Sequence, residues 1–201
     1  MNLEEIKLYL PKFLSSKSDK ELFASIKEFP KSQNKSFYTQ KLKNENIIFQ
    51  GDGIKNLLVI NLPDTKIDSA SCIILSNTCD IDLKNKRNFS SQIVYSPIIE
   101  LNKYKSLLIN KLGKSAEQIN AHIDSIKRQE ITQIFYLPET SNMKDSIIFL
   151  DRICNIRNNF LKRENLKRDR LFTLSNFGIY LFILKLSIHF TRIQDKVDRD
   201  F

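Results

Sequence analysis

The sequence predicts an α+β fold built on a small antiparallel β-barrel or curled sheet. Three observations carry that prediction. Short β-branched and aromatic runs between Ile47 and Tyr95 alternate with turn-forming clusters. Helix-spaced segments then occupy about 100–130, as an insertion. A strongly apolar helix over about 175–193 ends the pattern and must pack on something.

In chain order, Leu3, Ile6, Leu8, Tyr9, Phe13 and Leu14 are spaced as one face of a short helix. Ser18 or Asp19 caps a second one, with Leu22, Phe23 and Ile26 inward and Pro30 as its stop. These form an expected N-terminal helical arm, residues 1–45, ahead of a barrel domain over 46–201. The expected strands are Ile47–Phe49, Asn56–Leu62, Ser71–Leu75 and Gln92–Tyr95. Gly51-Asp52-Gly53, Pro63-Asp64 and Asn85 to Asn88 separate them. Pro97 is expected to end the run. Ser115 and Gln118 make a capping box for a helix whose Ile119, Ile123 and Ile126 share a face. Strands return at Thr132–Leu137 and Ser146–Leu150.

Composition narrows the function class. Of 201 residues, 41% are hydrophobic and 27% charged, as in a globular domain with a packed core. Only four Gly and five Pro speak against long disordered linkers. The net charge of +9 favours a polyanion, whether RNA or DNA, an anionic membrane surface or an acidic partner protein; an Ile-, Asn- and Lys-rich composition is the alternative source of that charge. Three cysteines without a CxxC pair point to a reducing compartment. The first residues do not read as a signal peptide. The longest apolar stretch, Phe177 to Leu184, is far short of the roughly 20 residues that span a bilayer. The expectation is a cytoplasmic protein that does not enter membranes and uses no cofactor.

The segments GDG (51–53), LLVINLPDTK (57–66), SCIILSN (71–77) and VYSPI (94–98) together resemble the MazF/PemK toxins. That resemblance implies an SH3-like barrel over Gly51 to Ile99, about a quarter of the chain, closed by a C-terminal helix. It also implies dimers. The chain as a whole more closely resembles a set of bacterial proteins that share LPDTKI (62–67), LSNTCDID (75–82), FYLP (135–138) and RLFTLSNFGIYLFILKLSIHFTR (170–192), a likeness that implies no activity. The toxins resemble one another in an Arg before the strand ending in Ser-Asn and a Thr after Pro-Ile. Those positions fall near Ala70 and at Ile99, whose side chains cannot hydrogen-bond. Oriented cationic donors supply much of the rate in phosphoryl transfer. The expected function is therefore a non-catalytic binding module, in a bacterial antiviral-defence or toxin-antitoxin-related system. Lys66 or Arg87 is the candidate replacement if cleavage persists.

Cys79 and Asp80 are the catalytic candidates, for a divergent endoribonuclease or a thiol-dependent enzyme. A nucleophilic Cys needs a base or a positive field beside it, and the two His, His122 and His189, lie far off in sequence. The alternative is a small buried Cys79 beside a turn that Asp80 caps, with Ser76, Asn77 and Thr78 bonding local backbone. Asp80 and Asp82 would share a face on a strand. Scattered Cys and His give no metal-site spacing. The binding candidates are Ser76 and Asn77, the stripe Lys185, His189 and Arg192, and Arg163 and Arg168 within the basic stretch Arg152 to Arg170. With Phe160 its only aromatic, that stretch has fewer exposed aromatics than base-stacking readout wants and predicts mostly sequence-independent binding. The wide apolar face of the last helix also suits a homodimer, a protein partner, or a place as a structural subunit of a larger complex.

Overall fold

Eight antiparallel strands and five α-helices follow one another through residues 37–191, the residues that this computed structural model describes. They are β1 (Tyr38–Thr39), β2 (Gly53–Asn61), β3 (Asp64–Ile74), α1 (Thr78–Ile81), β4 (Gln92–Glu100), α2 (Leu101–Leu112), α3 (Ala116–Lys127), β5 (Ile134–Leu137), β6 (Ser146–Phe149), β7 (Cys154–Arg157), α4 (Leu166–Asp169), β8 (Arg170–Leu174) and α5 (Asn176–Thr191). The sheet order is β1-β8-β2-β3-β4-β6-β5, with β7 also paired to β4, and the path is open. The fold is α+β with one antiparallel sheet. The two N-terminal helices expected before Pro30 lie outside the described residues. Residues 37–45, the end of the expected arm, hold β1 and a run of turns.

Three apolar clusters organise these elements. In the first, Phe177, Tyr180, Leu181 and Phe182 of α5 pack on Phe135, Leu137 and Ile148 of the β5–β6 hairpin. The opposite face of that hairpin, with Ile134, Tyr136, Ile147 and Phe149, packs on Leu101 and Leu108 of α2 and on Ile119, Ile123 and Ile126 of α3. Every residue of β5 and β6 is therefore buried. Burial on both faces is why these strands read as continuous apolar runs, without alternation. In the second cluster, β2, β3, β4 and β7 curl around Leu57, Cys72, Ile74, Ile93, Tyr95 and Cys154.

The helical insertion follows its sequence cues. Ser115 Oγ accepts from the Gln118 N–H at 3.3 Å, and the Ser115 N–H donates to Gln118 Oε1 at 3.2 Å, which closes the expected capping box.

Two expectations need correction. Ile47–Phe49 is not a strand but a loop, with Ile48 buried in the second cluster. Its backbone is held by a side chain rather than a ladder: Arg170 donates to the carbonyls of Leu42, Lys43, Glu45 and Ile47. Pro97 does not end β4. It pairs with Cys72 of β3 on one side, while on the other β7 covers Gln92–Tyr95 and β6 covers Ile98–Glu100. Pro97 thus stands where one edge has no ladder partner to lose. The basic stretch Arg152 to Arg170 holds β7, α4 and the start of β8.

Candidate nucleic-acid interface

The Ser76–Asp82 segment leaves β3 as a tightly bonded turn. Ser76 Oγ accepts from the Val94 N–H at 2.7 Å and donates to the Gln92 carbonyl at 3.4 Å. Asn77 caps α1 by accepting from the Cys79 N–H at 2.9 Å. Thr78 Oγ1 accepts from the Gln50 N–H at 3.0 Å. Asn77 therefore serves the local backbone, whereas Ser76 ties the turn to β4 and Thr78 ties it to the loop at Gln50. Cys79 is exposed, contrary to the buried alternative. Asp80 bonds Arg87 at 2.5 Å, and Asp82 accepts from the Lys84 N–H at 2.9 Å. The two acids stand on and just after a helical turn, not along a strand face. His122 bonds Tyr104 across α2 and α3 at 3.0 Å, and His189 stacks edge-on against Phe190 on α5. Neither hydrogen-bonds to the Cys79 turn. Among the described residues no three His, Cys, Asp or Glu gather into a metal site.

Lys185 drops out of the predicted cationic stripe on α5. Lys185 is only 5% exposed, and its Nζ donates to the carbonyls of Gln129 and Ile131 at 2.8 and 2.5 Å, just past the end of α3. Burial pulls its ammonium down to about 8. His189 is half-buried and Arg192 lies outside the described residues. The wide apolar face of α5 has found its cover in the first cluster.

The basic stretch is also divided by the fold. Arg170 is buried and pairs with Asp52 at 3.1 Å. Arg163 is spent on the carbonyls of Ile81, Asn158 and Leu161 and on Asn158 Oδ1. Arg168 forms a two-bond pair with the neighbouring Asp169. Arg152 lies over the Phe149 ring, 4.2 Å from its centre. Arg157, Lys162 and Lys167 are exposed, with no ion pair among the described residues.

Two of the concave surfaces among the described residues bear on nucleic-acid binding. One is a groove of about 800 Å³ lined by Ala70 of β3 and Ile99 of β4, with Lys55, Lys103 and Lys144 along it. Glu100 and Glu139 line it too, and Lys103 lies 3.5 Å from Glu100. The two positions that the resemblance singles out thus share one groove. Neither Lys66 nor Arg87 lines it; Lys66 sits beside Asp68 at 3.5 Å and Arg87 is on Asp80. The other is a cavity of about 330 Å³ beside the Cys79 turn, lined by Arg87, Phe89, Gln92, Arg157 and Asn159. Sequence reasoning missed the three groove lysines, which come from β2, α2 and the loop before β6. It also missed Phe89, which lies in a polar loop without periodicity. No family model matches the chain, and no curated protein does either.

Proposed function

We propose that the chain is a non-catalytic nucleic-acid-binding module, built on an SH3-like barrel of the MazF/PemK kind and serving a bacterial defence or toxin-related system. One observation carries the reading. Ala70 and Ile99 stand together in a groove edged by three lysines, on a chain of net charge +9. Lysines attract phosphate as point charges but offer no planar fork aimed at a reacting phosphoryl group. Curling of β2, β3, β4 and β7 around one cluster supports the barrel part of the proposal.

The test is fluorescence anisotropy with labelled RNA and DNA at low and rising salt. Changing Lys55, Lys103 and Lys144 together to Gln should weaken binding at all sequences. With three fewer phosphates of a single strand neutralised, the salt slope should fall by roughly 2. A wild-type chain that binds neither RNA nor DNA at 50 mM salt refutes the proposal.

The exposure of Cys79 beside the Asp80–Arg87 pair favours one other reading, a thiol-dependent or ribonuclease activity at that turn. RNA cleavage that disappears in Cys79→Ala or Asp80→Ala would establish it. Cleavage that survives both would remove the turn from consideration.

A further inference from the structure

We infer that the cavity beside the Cys79 turn is a subsite for single-stranded nucleic acid, in which one base stacks on Phe89 while Arg157 holds the adjoining phosphate. The inference rests on the nucleic-acid-binding reading and deepens it.

Phe89 is 87% exposed, more than any other large apolar side chain among the described residues. An aromatic ring in water is ordinarily turned inward, and the loop around this one is fastened rather than loose. Upstream, Asn85 Nδ2 donates to the Cys79 carbonyl at 2.9 Å, and Arg87 is paired with Asp80 at 2.5 Å. Downstream, Asn158 Nδ2 donates to Ser91 Oγ at 2.7 Å, and the Asn158 N–H donates to the Ser91 carbonyl at 3.2 Å. Arg163, bonded to Asn158, braces that second anchor. Phe89 therefore projects from between two fixed points.

Arg157 reaches the same cavity from another strand. It lies directly across from Gln92 in the β4–β7 ladder, and both line the cavity with Phe89. Phe160, 54% exposed, follows three residues later. An open aromatic face, a guanidinium with no ion pair among the described residues, and amides at Gln92 and Asn159 match a base with its phosphate. A duplex keeps its bases stacked on each other and offers Phe89 no free π-face. A single strand does.

The chain has no tryptophan, which supplies a direct readout. Phe89→Trp would be the sole indole of the 201-residue chain, and a stacked base quenches it. Titrating this variant with twelve-nucleotide oligo-U and oligo-dT should quench its emission, and a mixed-sequence RNA duplex of equal length should not. Phe89→Ala should weaken oligonucleotide binding about 5- to 150-fold, the range for removing one base–aromatic stack. Arg157→Gln should weaken it and reduce the salt slope by roughly 0.7. Equal oligonucleotide affinities for wild type and Phe89→Ala, with an unquenched indole, would overturn the stacking subsite and leave nucleic-acid binding standing. Poly-glutamate that quenches and competes as well as the oligonucleotides would overturn it in favour of an acidic protein partner. Absence of any oligonucleotide binding by wild type at low salt would overturn both.

Discussion

Replacing Arg170 by Met should destabilise the protein by about 3–5 kcal/mol, the range for breaking a buried ion pair from one side. The Arg170 and Asp52 side chains are 1% and 0% exposed. Asp52 would keep the Thr173 hydroxyl at 2.7 Å and the Phe49 N–H at 2.9 Å but lose the one cation paired with it among the described residues. Burial already pushes its carboxyl upward, with Arg170 the main opposing influence. Four carbonyls, from Leu42 to Ile47, would lose the guanidinium as well, the Leu42 carbonyl keeping the Glu45 N–H at 3.1 Å. Lys43 and Glu45 are exposed and can turn to water, so their carbonyls add little beyond the pair. With a urea m-value of about 2 kcal/mol/M, the loss moves the midpoint down by roughly 1.5–2.5 M. Asp52→Asn should cost less, because four carbonyls still surround the guanidinium. The double variant should fall short of the sum of the singles. Urea titration followed by circular dichroism measures these values. Trypsin supplies a second readout, since Lys41 and Lys43 lie in the loop that Arg170 holds and should become cleavage sites. A midpoint within about 0.5 M of wild type at an unchanged m-value, with the loop still protected, would refute the argument.

Lys185 should make stability depend on pH in an unusual direction. Its folded value of about 8 lies below the ordinary 10.5, so between these values the unfolded chain holds a proton that the folded chain has released. Stability therefore rises with pH across that window, by about 3 kcal/mol in all, relative to Lys185→Met. A wild-type-minus-variant difference that stays flat from pH 7.5 to 10.5 in chemical denaturation would contradict this. Gly178→Ala would place a Cβ 2.4 Å from the Phe37 carbonyl, which also accepts from the Ser175 N–H at 2.9 Å. Overpacking against pinned backbone should cost about 1–3 kcal/mol, or roughly 3–10 °C in Tm; an unchanged melting curve would show that α5 does not press on this carbonyl. Ser115→Ala should cost about 1 kcal/mol and speed amide exchange at the start of α3, as hydrogen-exchange mass spectrometry would report.

What the sequence made legible were the features written locally. The Ser115–Gln118 box, the spacing of Ile119, Ile123 and Ile126, and the Pro63 turn each depend on residues a few positions apart. So does the α5 apolar run. The misses all depend on distant partners. Arg170 and Lys185 are identical in type to solvated cations, and only their partners at Asp52, Gln129 and Ile131 make them interior. The loop at Ile47 has strand-like composition, yet its carbonyls face a guanidinium more than 120 positions along the chain. Pro97 reads as a stop until the changeover from β7 to β6 is known. At the candidate site, charge singled out the stretch Arg152 to Arg170, but not which of its members the fold leaves unengaged. Of the seven basic residues from Arg152 to Arg170, four are engaged in ion pairs, ring stacking or backbone bonds. Phe89 carried no signal because an aromatic residue in a polar loop has the same sequence appearance whether buried or exposed.

Strand β4 has a mechanical consequence. Ile93 and Tyr95 belong to the cluster inside the curled strands, Ile98 packs against the one under α5, and Ile99 packs against the one under α2 and α3. One uninterrupted strand thus contributes to all three cores. The helical insertion cannot separate from the curled strands without pulling this strand out of register, so the three clusters behave as a single cooperative unit. A ligand that stiffens one end of β4, beside Gln92, would be felt at the other, beside Ile99, through nothing more than the rigidity of that strand.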